Sequence, residues 1–401
     1  MSDGLKQRGR LVVCCLLTAF ALTSCSESIT NPDTPGSGLL TRDVIIRDTV
    51  LFAISDTSFL QRIPADGLAS PLRQNFVGRT GNYKAYAAIR FTLGSPIDTL
   101  DILSAKITLR LVSWRGDSAG LLGFNVHSIN TSWAEGTLTW PTADSTNFYD
   151  PVVKGTYSST VGADTQYISV DIDTAMVASW FRSNTTTNNG IILVPTSNAS
   201  LIRGFHAFGF DSSDFQPKLN VVARGANVPV SDTTRLRFES QIGQDTYVAD
   251  VFPFPLDPQH LVTQAGIAYR SRLRFDVSHI PRGAIINSAE LQLQRNPMIT
   301  NVSKFTADPA PVVHALFTND STNFEAFSSP GALKSGTANT FTFDVRRQAQ
   351  IWEGGINHGL LLRQSSANEF GTLDLFGFYS SNATDPALRP RILIKYSVFQ
   401  N

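Results

Sequence analysis

The sequence predicts an all-β protein built as two tandem β-sandwiches, and three observations carry that expectation. Charged residues are 16% of the 401, well below the roughly 25% of average soluble domains. Ser, Thr, Asn and Gly fill the gap, a mix suited to strands and turns rather than helices. Stretches such as Ala105-Lys106-Ile107-Thr108-Leu109-Arg110-Leu111 alternate apolar and polar residues, which is the period of a half-buried strand. Most telling, one pattern occurs twice.

In the first copy Ile89-Arg90-Phe91 precedes Ser104-Ala105-Lys106-Ile107-Thr108-Leu109; in the second Leu273-Arg274-Phe275 precedes Ser288-Ala289-Glu290-Leu291-Gln292-Leu293, at the same spacing of 15. Other pairs follow in order. Asp56-Thr57-Ser58-Phe59 matches Asp245-Thr246-Tyr247-Val248, and Val126-His127 matches Val313-His314. Val170-Asp171-Ile172 matches Phe343-Asp344-Val345, and Trp180 matches Trp352. Asn189-Gly190-Ile191-Ile192-Leu193 matches His358-Gly359-Leu360-Leu361-Leu362, Phe208-Gly209-Phe210 matches Phe376-Gly377-Phe378, and Pro217 matches Pro390. The copies are placed at 43–225 and 231–399, with the boundary near Gly225 to Ser231. Within each, Ile191–Val194 and Leu360–Leu362 are short apolar runs expected to be core strands. The helical expectation falls on Thr174–Trp180, capped by Asp173, and on its counterpart Arg346–Trp352.

Ahead of the repeats lies a different grammar. Lys6, Arg8 and Arg10 precede an apolar run from Leu11 to Leu22 that ends in Leu22-Thr23-Ser24-Cys25. A run of this length is too short to span a bilayer and fits an export signal over 1–24. The tetrapeptide resembles the lipobox of bacterial lipoproteins. That resemblance implies cleavage before Cys25, a diacylglycerol on its thiol and stable anchoring by two or three acyl chains. Ser26, where an Asp would favour the inner membrane, makes the outer membrane or cell surface the expected location. Residues 25–42, polar and rich in Pro and Gly, read as a tether. Cys14 and Cys15 lie within the segment to be removed, so no disulfide or thiol chemistry is expected in the mature chain. Its stability must come from its cores.

The strand "RLRFD" at Arg272-Leu273-Arg274-Phe275-Asp276, followed by Ile280-Pro281, Gly283 and Ser288-Ala289-Glu290-Leu291, resembles the DNRLRE-type domain, also grouped with the carbohydrate-binding module of family 96. In the first copy the matching residues are Trp133-Ala134-Glu135, Thr139-Trp140 and Asp171. The resemblance spans nearly all of both copies. It implies jelly-roll-like sandwiches on surface or secreted bacterial proteins, with polysaccharide binding in some members. The second copy lacks both tryptophans of the W-E---TW element and reads Ser321-Thr322-Asn323-Phe324-Glu325 in that region.

Trp133, Glu135 and Trp140 are the candidate glycan site, because indole faces stack on sugar rings and a carboxylate accepts hydroxyl hydrogen bonds. Trp114, in a turn-like stretch, joins them. The alternative is that Trp133 and Trp140 pack beneath a loop or between sheets, as large aromatics do. Trp180 and Trp352, at equivalent positions, point to a shared core role. Arg90, Arg272 and Arg274 either line an anionic-glycan groove or form a solvated strand face. Asp276, Asp171 and Asp344 could join a structural calcium site, but no EF-hand spacing supports one. Formal net charge is zero, with 33 basic and 33 acidic residues, so nucleic acid is not an expected partner. No H-E-x-x-H, G-x-S-x-G or phosphate loop is present, and no cofactor or catalytic residue is expected. The expected function is therefore a membrane-anchored lipoprotein that binds polysaccharide. The alternatives are a non-catalytic structural or adhesive surface protein and, more weakly, a polysaccharide-cleaving enzyme. Exposed tryptophans on a concave face favour the first. Buried rings with an apolar patch elsewhere favour the second, and paired carboxylates in a cleft the third.

Overall fold

Period-two patterning becomes strand over most of the chain. The computed structural model describes residues 44–61, 74–94, 99–182, 187–209, 212–225, 229, 232–250, 257–302 and 311–399. The export signal, Cys25 and the tether lie outside the described residues. The first half runs β1 (Val44–Leu60), β2 (Gln74–Thr80), β3 (Tyr83–Phe91), β4 (Leu100–Arg115), β5 (Gly120–Ser128), β6 (Gly155–Val161), β7 (Gln166–Asp171), β8 (Ile191–Pro195), β9 (Ile202–His206) and β10 (Lys218–Gly225). The second repeats the order as β11 (Thr234–Ala249), β12 (His260–Gln264), β13 (Tyr269–Phe275), β14 (Ile285–Gln294), β15 (Pro311–Ala315), β16 (Ser329–Leu333), β17 (Thr340–Asp344), β18 (Leu360–Gln364), β19 (Leu375–Tyr379) and β20 (Arg391–Phe399). Short helices interrupt them: α1 (Trp140–Ala143), α2 (Thr174–Phe181), α3 (Arg346–Glu353) and α4 (Ser366–Gly371). Residues Asp48–Tyr396 form one compact unit, and the described ends, 44–47 and 397–399, group apart from it.

The fold is all-β and sandwich-like, with antiparallel sheets, as the sequence predicts. Each strand of the first half has its equivalent ten places later. The pairings correspond too, with two differences: β16 and β17 form a ladder where the first half has only the bridge Gly155–Ile172, and β4 pairs with β9 where the second half has only the bridge Arg295–Phe378. In the second sheet the path β1-β20-β14-β17-β16-β15-β18-β13 returns to β1, so this sheet closes into a barrel.

That path contains a strand from the other half. β1 pairs with β13 and β20, whereas β11 pairs with β3 and β10. The exchange is reciprocal and in equivalent register. Asp56 lies opposite Leu273, and Asp245 lies opposite Ile89. The Ala53 amide donates to Pro390 O at 3.0 Å, and the Ser240 amide donates to Pro217 O at 3.4 Å. Sheet membership thus crosses the boundary between the sequence repeats once in each direction. The pattern of alternation fixes which side chains face the core, not which sheet supplies the neighbours.

The core of the first half gathers Ile107, Leu109, Phe124, Leu193 and Leu219, with Leu236 and Phe238 of the exchanged β11 packed against them. Leu51 and Ala53 of β1 are likewise buried. Gly190 and Gly359 open β8 and β18 at φ +87° and +95°. A Cβ at either would collide with the carbonyl oxygen of Ile89 or Leu273, so only glycine allows the close approach of strands there. Asp173 caps α2 by accepting the Ala175 amide at 2.8 Å, as expected.

One repeat match needs correction. Phe376-Gly377-Phe378 lies within β19, while Phe208 and Gly209 follow β9. The structural counterpart of Gly377 is Gly204, since Gly377 faces Val262 as Gly204 faces Phe76.

A buried polar seam joins the halves. Tyr247 donates to the carbonyls of Phe370 and Thr372 at 3.1 and 3.0 Å, and Gln74 donates to Gly371 O at 3.1 Å. Arg115, fully buried, donates to Leu373 O. Burial holds its guanidinium below the usual arginine range. Leu373 itself packs among Phe76, Tyr83 and Tyr247.

Candidate functional site

The chain between β5 and β6 makes the two halves unequal. Ile129 bridges Tyr149 in the first half, and Leu316 bridges Phe324 in the second. The two bridges correspond: His127 packs at a tilt against Tyr149 and contacts Asp150 O at 2.9 Å, while His314 packs edge-on against Phe324 and contacts Glu325 O at 2.8 Å. Twenty positions separate the partners in the first half and eight in the second. Phe324-Glu325 therefore corresponds to Tyr149-Asp150, not to the tryptophan element. Trp133, Glu135 and Trp140 sit in an insertion that the second half lacks.

This insertion folds down as a cap. Trp133 and Trp140 are 7% and 8% exposed and pack with Tyr86, Ala88, Ile192 and Val248. Trp133 donates its indole N–H to Asn189 O at 2.8 Å, with the Arg90 guanidinium 5.6 Å from its ring centre. Trp140 lies against Tyr86 at 4.5 Å, and Glu135 is buried in a 3₁₀ turn over Glu135–Thr137. Neither indole offers a free face for stacking. Trp114 stands in β4 rather than in a turn, half-buried, with Arg203 5.7 Å from its ring. These residues are placed as a packing element, with Trp114 outside it.

A cleft of about 420 Å³ opens beside this cap. Trp180, half-buried near the end of α2, forms one wall, and Ser128, Asn130, Asp150, Lys154 and Asn189 line the rest. Backbone bonds hold its rim: the Asp150 amide donates to Ser128 O at 2.9 Å, that of Lys154 to Val126 O at 2.8 Å, and that of Asp173 to Lys154 O at 2.6 Å. Asn189 spans the cleft edge, donating to Asn130 O at 3.1 Å. The Lys154 ammonium lies 3.6 Å from Asp150 and 3.8 Å from Asp173. The cleft thus offers an aromatic wall, amides, a hydroxyl and a paired lysine, the mix of apolar surface and fixed polar groups that binds small polar ligands.

The second half has filled the same place. Trp352 holds the helical position of Trp180 but is only 2% exposed. Gln348, at the helical position of Met176, donates to Glu325 at 3.2 Å, and Arg347 donates to the same carboxylate. The shared core role expected of the two tryptophans holds in full for Trp352. Trp180 packs on the core with part of its ring and faces the cleft with the rest. Its place on the cleft was hidden because both copies carry Trp there; the available signal was the Met176 and Gln348 difference.

Arg272 and Arg274 donate to Asn319, Arg272 to its backbone oxygen at 2.5 Å. The three aspartates considered for calcium are spent separately, Asp171 on Lys106 at 3.2 Å, Asp276 on the Ser278 amide and Asp344 on the Arg346 amide. Among the described residues no group of three or more potential metal ligands comes together, and no described helix is long and apolar enough to cross a membrane.

No family model matches the chain, and no curated protein matches it. Among solved structures it aligns with that of infectious bursal disease virus Gx strain at 9% identity and a TM-score of 0.13, over 90% of this chain and 78% of that one. A likeness this slight carries no argument about the fold or its use.

Proposed function

We propose that this chain is a non-catalytic lipoprotein, held to the outer membrane or cell surface by acyl chains on Cys25, that binds polysaccharide through the Trp180 cleft of its first half. The observation that carries the reading is the partly exposed Trp180 beside amides and hydroxyls in a concave site. The negative face of an indole attracts the weakly positive C–H face of a sugar ring, while Asn130, Asn189 and Ser128 match its hydroxyls. The resemblance to DNRLRE-type domains agrees with this reading, with the site moved from the W-E---TW element to the helix beside it. Titration of the mature chain with a polysaccharide panel, followed by tryptophan fluorescence, tests it. Trp180→Ala should weaken binding at least tenfold in a folded protein, and Trp133→Ala should leave it unchanged. Saturable binding that survives Trp180→Ala, or no binding across the panel, would reject the site.

A second reading, a structural or adhesive surface protein, is favoured by one feature. Val50, Phe52 and Ile54 are 48%, 47% and 64% exposed along the outer face of β1. The equivalent positions before the register shift in β11 carry Arg237 and Glu239, ion-paired at 2.6 Å. An apolar row at the position where its twin is charged suits contact with a partner protein.

A further inference from the structure

We propose that the Trp180 cleft selects uncharged glycan chains and rejects those carrying uronate or sulfate groups, an inference that rests on the glycan reading of this site. The argument is a balance of charge. Asp150 and Lys154 are the charged residues lining the cleft. A lysine in a sugar-binding cleft would ordinarily favour an anionic ligand, because its ammonium is a compact point charge with three donors. Here the ammonium is already shared by two carboxylates, Asp150 at 3.6 Å and Asp173 at 3.8 Å. The lysine side chain is 19% exposed, whereas those of Asp150 and Asp173 are 31% and 38% exposed. The trio carries a net negative charge, and its negative members are the more accessible.

An incoming carboxylate would have to displace one aspartate from Lys154 and lie beside it. That sets two like charges together in a partly desolvated cleft, an arrangement that discriminates strongly against the wrong ligand. A neutral sugar meets no such penalty. Its hydroxyls can donate to the free lone pairs of Asp150 and accept from Asn130 or Asn189, with the ring face resting on Trp180. The backbone bonds through Ser128, Val126 and Lys154 fix where the three side chains start, so the lysine turns out to meet an anion only by giving up both carboxylates.

The test uses the full-length chain in detergent micelles and three neutral polymers, a β-1,3-glucan, a soluble β-1,4-glucan and a mannan. Each is paired with its own counterpart oxidised at C6 to the uronate. For whichever neutral polymer binds, the oxidised partner should bind at least tenfold more weakly, and the gap should narrow in Asp150→Asn, which leaves Lys154 with one carboxylate. Thermal unfolding of that variant establishes that it is folded, and the wild-type comparison stands without it. Equal or tighter binding of the oxidised polymers overturns the selection but leaves the glycan site standing. No binding by any neutral polymer removes both.

Discussion

The outer face of β3 and β8 and that of β13 and β18 are the same surface built twice, with opposite chemistry. In the first half Tyr86, Ala88 and Ile192 lie beneath Trp133, Trp140 and Leu138 of the insertion. In the second half the register places Arg270 at the position of Tyr86 and Arg363 at that of Val194. There the cover is ionic. Glu369 of α4, 1% exposed, takes two bonds from Arg270 at 2.9 and 3.0 Å and lies 3.3 Å from Arg363. The comparison teaches that one strand scaffold tolerates either an apolar cap or a buried ion cluster, provided each group is covered and paired. It also explains where the cleft is: the insertion that caps the first half forms one of its borders, through the bond from Trp133 to Asn189.

The comparison breaks hardest at Glu369. Replacing it with Ala leaves two buried guanidiniums without their carboxylate, and removal of one partner of a buried pair typically costs about 3–5 kcal/mol. Urea unfolding should show a loss of that size; a loss under about 1 kcal/mol would mean the cluster is solvated. Trp140→Ala in the first half should cost somewhat less, about 2–4 kcal/mol, since its ring retains slight exposure and the cap can partly collapse. Unlike Glu369→Ala, it should leave the second half's near-ultraviolet signal intact.

Acid provides a smaller effect. His206 is buried beside the Arg110 guanidinium, which donates to it at 2.8 Å, and burial together with that positive neighbour lowers its pKa to about 4. The unfolded chain protonates near 6.5. Between those values the unfolded state binds the extra proton, so this contribution is whole above pH 6.5 and falls away as the pH drops to 4. His206→Gln should flatten the slope of unfolding free energy against pH in that window; an unchanged slope would show the histidine is not the source. The smallest effect is expected from cutting the chain between Gly225 and Asp232 at an inserted protease site. Because each half holds a strand of the other, the pieces should elute together with little change in thermal midpoint, and separation into two species would contradict the exchange.

Much of this was legible in the sequence. The alternation at Ala105–Leu111, the apolar runs after Gly190 and Gly359 and the cap at Asp173 all follow from local rules, and all are present. The exchange was not legible, although Asp56 and Asp245 were recognised as equivalents. Swapping two equivalent strands buries the same faces against equivalent neighbours, so the pattern of side chains is indifferent to it. That the tryptophan element is an insertion was illegible for a related reason. A gap of twelve positions between two otherwise matched segments leaves open which residues are extra, and only the bridges at Tyr149 and Phe324 resolve it. Trp180 reads as core in the sequence because identity across the copies suggests identity of surroundings.

The exchanged strands also set the order in which this molecule can be completed. β1 is the first described strand to be synthesised, yet Ser58 finds its partner Ser271 213 residues later, and β20 closes the ring only at the far end of the chain. Contacts so distant in sequence are slow to form. Until then β1 is a long unpaired edge with Val50, Phe52 and Ile54 along it, the sort of strand that adheres to others. A nascent chain must therefore be shielded until its last strand arrives, and its first described strand is among the last to settle.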